Sequence, residues 1–430
     1  MLVPVKAQQQ IVDTLSLALS HGILATQQVD FCKCLFDSWS FPNGRLLMKI
    51  HKTELAARLI TSGTRWITNT ISILLAATLQ PCLDLAETIA KDTRAVVNSI
   101  DKFNNDSSHH NIRVASFDVE QLYPSINQER AIVGIRTVLT EHYLAHPIHC
   151  WGLIVEVMCV FMRIIFEAQI VSVRFRGDAL KRFFRQTVGV TTGLSCAVQL
   201  ANSFLLALDL IVVRTFRDNI HMFHRFVDDV LIVFSGIDLA DLLDVFNNWD
   251  PLIKVTFDST ETLDKTTFLD LALSIKAGKL RYCTFRKPLN SYCYLPALSC
   301  HSHSTKLATV STECVRLLLT NDSEESFLWH RTFFLRKFVA RGYLRNDVSA
   351  IFDKYPWHDK DIILGRRACK VGKVVPFKVR FSPGIHALCI GRLLQKHMLN
   401  LDASVRAKLK FVVCYSVGSN LFRLRYTRFL

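Results

Sequence analysis

The 430-residue sequence lacks internal repeats and low-complexity tracts, which excludes solenoid and fibrous architectures. It also lacks any apolar run of the ~18 uncharged residues that a membrane-spanning helix needs. The segment 71–79 is short, 151–166 carries Glu156 and Arg163, and 201–213 carries Asp209. The first residues have no apolar core of signal-peptide length, so a soluble intracellular protein is expected. No disulfide frame is present: the 13 cysteines are odd in number and scattered from Cys32 to Cys414, as reduced thiols would be. Cys293, Cys300, His301 and His303 form the one cluster of zinc-ligand types. Without a paired Cys-x-x-Cys unit they read as a polar loop before a metal site. Acidic residues are scarce in the last third. Residues 281–430 hold 26 basic and 9 acidic side chains, net +17, whereas residues 1–280 hold 26 basic and 28 acidic, net −2.

What is present is a packed globular composition, 50% hydrophobic and 10% aromatic, of a length that predicts two or three domains. The whole excess of +15 falls in the C-terminal third, where Phe and Tyr interleave with Arg and Lys. A basic surface attracts a polyanion by counterion release, and the aromatics favour nucleic acid, tracked along its backbone and stacked on its bases. Apolar spacing of three and four predicts helix over 66–100, 128–143, 151–166, 195–216 and 239–249. Strands are predicted over 112–119, 171–175 and 222–234, the last on both sides of an acidic pair, and near Val255, Phe268 and Leu280. From Thr312 onward the pattern reads as mostly helical and basic. The order β-α-(α)-β-β-α-β in the middle of the chain suits an antiparallel sheet backed by helices.

Two acidic sites interrupt apolar strands. Asp118 ends the run 112–117, and Asp228 with Asp229 splits 223–234 at a tight hairpin turn. A carboxylate withdrawn from water is expensive unless paired or metal-bound, and adjacent carboxylates repel. Hard oxygen donors of this kind suit Mg²⁺. If the two strands are neighbours, Asp118 and Asp228 converge, and two ions there could activate a hydroxyl and stabilise leaving pyrophosphate.

The segment 117–126, Phe-Asp-Val-Glu-Gln-Leu-Tyr-Pro-Ser-Ile, resembles the first palm motif of reverse transcriptases in the form used by Penelope-like retroelements. Phe226-Val227-Asp228-Asp229 resembles the catalytic aspartate pair of the same enzymes. Gly189 to Ser195, with Leu200-Ala201-Asn202, resembles their glycine-bearing motif, and Met48 to Lys52 with Arg58-Leu59-Ile60 their finger motifs. Further matches lie at 266–270, 285–288, 299–301, 341–343 and 419–421, so the resemblance covers nearly the whole chain.

The resemblance implies an α+β right-hand polymerase: fingers over 1–115, N-terminally short, a split β-α-β palm over 112–290, and a basic helical thumb over 291–430. In departure from many members of that family, no GIY-YIG or RNase H domain is expected, hence an endonuclease-lacking or truncated element. The implied activity is RNA-directed DNA synthesis, extending a primer 3′-hydroxyl with dNTPs on an RNA template and DNA primer. Two Mg²⁺ (or Mn²⁺) ions would serve it, with no membrane partner. A nuclear location is implied too, with the basic run from Arg366-Arg367 to Lys373 in keeping. Asp118, Asp228 and the Val119 carbonyl would hold the metals, with Asp229 orienting them. Lys49 and Arg58 would hold the triphosphate, Tyr123 would exclude a 2′-hydroxyl, and Gly193 would let backbone approach the nascent base pair. Arg286, Lys287, Arg336, Lys337 and Arg341 would bind nucleic acid, the thumb gripping the duplex in its minor groove. Lys254 and Lys265 both qualify as general acid. Met48 and Leu59 stand where proline is common in that family, and Thr192 where methionine is. A catalytically inactive nucleic-acid-binding remnant and an unrelated metal-dependent nuclease or phosphotransferase are the competing readings.

Overall fold

The computed structural model describes residues 2–49, 56–106, 110–175, 180–257, 262–365, 373–380 and 409–416. The chain divides into two compact units, 1–281 and 282–430.

The first unit opens with helices α1 (Leu2–Ser20) and α2 (Thr26–Lys33), strands β1 (Asn43–Lys49) and β2 (Ala56–Ser62), then α3 (Asn69–Leu83) and α4 (Thr93–Asn105). The single helical tract expected over 66–100 is therefore two helices. The chain breaks at Asp84, and α4 restarts where Asp92 caps it by accepting from the Ala95 N–H at 2.9 Å. Next come β3 (Arg113–Val119), a short α5 (Leu122–Ser125), α6 (Gln128–Ala145), α7 (Trp151–Glu167), β4 (Ile170–Val173) and β5 (Arg182–Arg185). After α8 (Ala197–Thr215) follow the hairpin β6 (Ile220–Phe226) and β7 (Asp229–Phe234), α9 (Leu239–Asn247), β8 (Val255–Phe257) and the meander β9 (Lys265–Phe268), β10 (Leu271–Lys276), β11 (Lys279–Thr284).

The central sheet runs β6-β7-β3-β8, every neighbour antiparallel. Taken in chain order this is the β-α-β-β-α-β topology read from the sequence. Period-two alternation in β3 sends Ala115, Phe117 and Val119 into one apolar core with α3, α6, α7 and α8, and sends Ser116 and Asp118 to the opposite face. Val230, Ile232 and Phe234 of β7 join that core. A second sheet, β2-β1-β4-β5, carries the segment that matched the finger motifs.

α8 is the one helix among the described residues long and apolar enough to cross a membrane, with mean hydropathy 1.6, although Asp209 and Arg214 keep it from being the uncharged run that the sequence was found to lack. Half of that window is buried inside the protein, and its one carboxylate, Asp209, meets a buried arginine there.

The second unit contains α10 (His303–Leu319), α11 (Glu324–Ala340), α12 (Arg345–Phe352) and α13 (Lys360–Gly365), around a core of Phe327, Phe334, Phe338 and Phe352. Ser302 and Ser323 cap α10 and α11. The chain then departs from the mostly helical pattern expected: β12 (Lys373–Arg380) pairs in parallel with β13 (Leu409–Ser416). Both segments are dense in valine and aromatic residues, which favour a pleated surface over a helix. The basic run at 366–372 and the match at 419–421 lie outside the described residues.

Candidate active site

The register brings the sequence-predicted acids together. Asp118, near the end of β3, stands directly opposite Asp229 of β7, so the two project from the same face of the sheet. Asp228 occupies the second position of the two-residue turn, and its carbonyl accepts from the Val119 N–H at 2.9 Å. Val227, at the first turn position, has φ +59°. For a β-branched residue that conformation costs on the order of 1–3 kcal/mol, and such strain clusters at functional sites.

Asp118, Val119 and Asp228 line a cavity of about 350 Å³, together with Arg58, Leu59, Glu120, Tyr123 and Thr192. Its volume lies in the roughly 300–1,000 Å³ range of small-ligand pockets. The Tyr123 phenol is pushed above the ordinary tyrosine range by burial and by the Asp228 charge, against the pull of Arg58. Those causes also record that acid, ring and cation share one small space.

Two glycines set the shape of the wall. Gly189, at φ +75°, packs onto the turn after Tyr123. A Cβ there would come within 2.4 Å of the Pro124 carbonyl oxygen, and the neighbouring Val190 N–H donates to the Tyr123 carbonyl at 2.7 Å. Gly193 makes a close contact with the backbone of β2. A Cβ on it would lie 1.8 Å from the Thr61 carbonyl oxygen, so its bareness lets the loop before α8 close onto β2. Gly193 is not among the cavity-lining residues. Thr192 is, and its hydroxyl donates to the Leu59 carbonyl at 3.1 Å.

The other expected residues distribute as follows. Lys49 ends β1 opposite Ala56, its side chain outside the described residues, as are His51 and Lys52. Of the two lysines proposed as acid, Lys254 is the one beside the cavity, 3.2 Å from the Glu120 carboxylate; Lys265 lies on β9. In the second unit Arg286 lies 4.0 Å above the Trp329 ring and 4.2 Å from Phe333, and Lys337 5.2 Å from Phe333. Lys287 and Arg336 are exposed. Arg341 is half-buried, and its Nε donates to the Tyr294 carbonyl at 2.8 Å. Among the described residues no group of three or more His, Cys, Asp or Glu is arranged as a metal cage, and Cys293, Cys300, His301 and His303 form none. Two carboxylates and a backbone turn facing one cavity are a hard-oxygen donor set that fits Mg²⁺ completed by water and phosphate.

Sequence reading missed the support beneath the hairpin. Arg225 and Asp209, each 1% exposed, are joined at 2.8 Å. Burial raises the Asp209 carboxyl above the ordinary aspartate range, against the Arg225 charge. Every hydrogen-bond partner it has is a donor, so the ionised form is the one that satisfies them. The signal was available: one acid in an apolar helix and one arginine in an apolar strand.

No protein-family model matches the sequence, and no curated protein matches it. Solved structures do. Telomerase from Candida albicans, in complex with a TWJ fragment of telomeric RNA, is similar at TM-score 0.50 and 12% identity, over 89% of this chain and 64% of that one. Apo telomerase from Candida tropicalis (TM-score 0.44, 14% identity, 83% and 62% covered) and the Sicinivirus 3Dpol RNA-dependent RNA polymerase (0.45, 14%, 76% and 71%) are more distant. The chain spans 55% to 64% of the length of the telomerases it matches. The likeness to the Candida albicans structure shows a shared fold, a mixed α+β one of polymerase type.

Proposed function

We propose that this chain is a reverse transcriptase of the Penelope-like kind, with residues 1–115 as fingers, the central sheet as palm and the second unit as a basic thumb. The observation that carries the reading is the meeting of Asp118 and Asp228 in one cavity with Arg58 and Tyr123, inside a polymerase-type fold. Divalent ions held by Asp118, Asp228 and the Val119 carbonyl would neutralise the triphosphate and lower the pKa of the primer hydroxyl. Arg58 presents a planar fork suited to bidentate phosphate contact. The Tyr123 ring forms an uncharged wall where a 2′-hydroxyl would project, which favours deoxynucleotides by exclusion. The primer 3′-oxygen then attacks the α-phosphorus, the bond to the bridging oxygen breaks, and pyrophosphate leaves. Lys254, kept near the site by Glu120, is the better placed of the two lysines to protonate it. Positioning and charge do the catalysis, with no covalent intermediate. The second unit supplies the basic surface for RNA template and DNA primer, and a nuclear location is part of the same reading.

Primer extension on poly(rA)/oligo(dT) with Mg²⁺ or Mn²⁺ tests it. Incorporation of dTTP that falls to background in Asp228→Ala is the expected result. Template binding without incorporation would leave a binding protein, and shortening of the strand would indicate a nuclease.

A further inference from the structure

Arg225 stands two residues before Val227, and strand alternation turns its side chain with Phe223 towards the helices, into the apolar face of the sheet. There its guanidinium uses every N–H it has. Nε donates to both Asp209 oxygens at 2.9 Å, and Nη2 to Asp209 Oδ2 at 2.8 Å and the Asn202 carbonyl at 3.3 Å. Nη1 donates to Asn202 Oδ1 at 2.7 Å and to the Val227 carbonyl at 3.1 Å. The last of these ends on the peptide that joins Val227 to Asp228. The arginine's own backbone is also pinned: its N–H donates to the Thr88 carbonyl at 2.7 Å, and its carbonyl accepts from the Ala90 N–H at 2.9 Å.

Stability alone explains such a pair poorly. Taking two charges out of water offsets most of their attraction, and an apolar pair of the same volume commonly holds a core as well. What an apolar pair cannot do is donate to the Val227 carbonyl. That carbonyl belongs to a residue at φ +59°, a conformation that persists only when its surroundings enforce it. We infer that Arg225, oriented by Asp209 and Asn202, is a positioning residue that locks the Val227–Asp228 peptide and thereby aims the Asp228 carboxylate at the space it shares with Asp118. It touches neither nucleotide nor metal. The inference rests on the polymerase reading for its catalytic consequence, but not for its structural one.

Two variants of the full chain separate this role from simple support. Arg225→Lys keeps the charge and loses the fork. Arg225→Met combined with Asp209→Leu removes both charges and keeps the volume. Melting, hydrogen exchange of the segment 223–232 in the metal-free chain, and steady-state primer extension are measured on each. The double variant is expected to melt within about 5 °C of wild type. Its hairpin amides exchange faster, and kcat falls about 10- to 100-fold, as when a group orienting a metal ligand is lost. The KM for dTTP and the affinity for poly(rA)/oligo(dT) stay within about twofold of wild type, because the pair contacts neither. Arg225→Lys gives the same pattern, and decides the matter should the double variant not fold. Unchanged hairpin exchange with unchanged kcat overturns the inference, as does a loss of kcat that only follows the loss of melting temperature in both variants. A wild-type chain that extends no primer defeats the polymerase reading instead. Hairpin exchange then still judges the lock, with equal rates in all three proteins counting against it.

Discussion

Tyr123 is half-buried beside one anion and one cation, and its phenol is pushed above the ordinary tyrosine value of about 10. A raised acid stays protonated longer in the folded chain, so this hydroxyl is neutral across the working range. Its effect on stability appears only as pH rises through about 10, where the unfolded chain begins to release the proton first. Extension by wild type and Tyr123→Phe should therefore follow superimposable profiles between about pH 6.5 and 9. Tyr123→Ala should instead lower the preference for dTTP over UTP by at least about tenfold, measured as the ratio of kcat/KM values. Selectivity left intact would show that the ring does not face the sugar. At this scale the sequence was legible wherever chemistry fixes the residue type. Asp118 and Asp228 were legible as acids set in apolar strands, whereas Tyr123 and Arg58 came only from the resemblance, and all four line one cavity. The contact of Gly193 with β2 was not legible, because bareness towards a ligand and bareness towards a neighbouring strand leave the same letter.

Among elements, the loop before α8 closes onto β2 at Gly193. The Gly193 N–H donates to the Thr61 hydroxyl at 3.1 Å, and the bare Cα admits the Thr61 carbonyl. A methyl group at that point must push β2 away. Gly193→Ala is expected to destabilise the first unit by about 2 kcal/mol or more, lowering its melting temperature by roughly 5 °C. A melting temperature equal to wild type would mean that the loop moves aside at no cost. In the middle of the chain, helix and strand types mostly followed from apolar periodicity, which reports the buried face directly. Ends and breaks did not follow so well. The gap between α3 and α4 depends on a capping aspartate, and the β12–β13 pair on a partner strand some thirty residues along the chain. α8 was legible as a helix in sequence, but its single acid becomes tolerable only through an arginine from another element.

For the molecule as a whole, charge and chemistry are divided between the units: the acids belong to the first, and the net +17 of residues 281–430 falls almost wholly in the second. Counterion release should make template binding fall steeply with salt, by about 0.9 in log–log slope for each phosphate neutralised. Lys287→Gln with Arg336→Gln, both exposed, should lower that slope by about 1 to 2 in binding assays between 50 and 200 mM salt. An unchanged slope would remove this face from the interface. Arg341→Gln should leave the slope alone and lower the melting temperature of the second unit, since its Nε anchors the Tyr294 carbonyl. Composition foretold the uneven charge, but not which basic side chains are free to meet phosphate. Arg286 and Lys337 lie against the protein's own aromatic rings, an arrangement that no count of lysines and arginines contains.

By itself the sequence determined the classes of group available: three acids set in apolar strands, a tyrosine five residues beyond the first, and a basic C-terminal third. Residue type and period-two alternation are local properties, and local properties survive in a linear string. Only the tertiary structure decided that Asp118 stands opposite Asp229, that the bare Cα of Gly193 lies against Thr61 of β2, and that Arg225 reaches under the turn to the Val227 carbonyl. Each of these is a distance between residues remote in sequence. Such distances follow from the packing of the whole core.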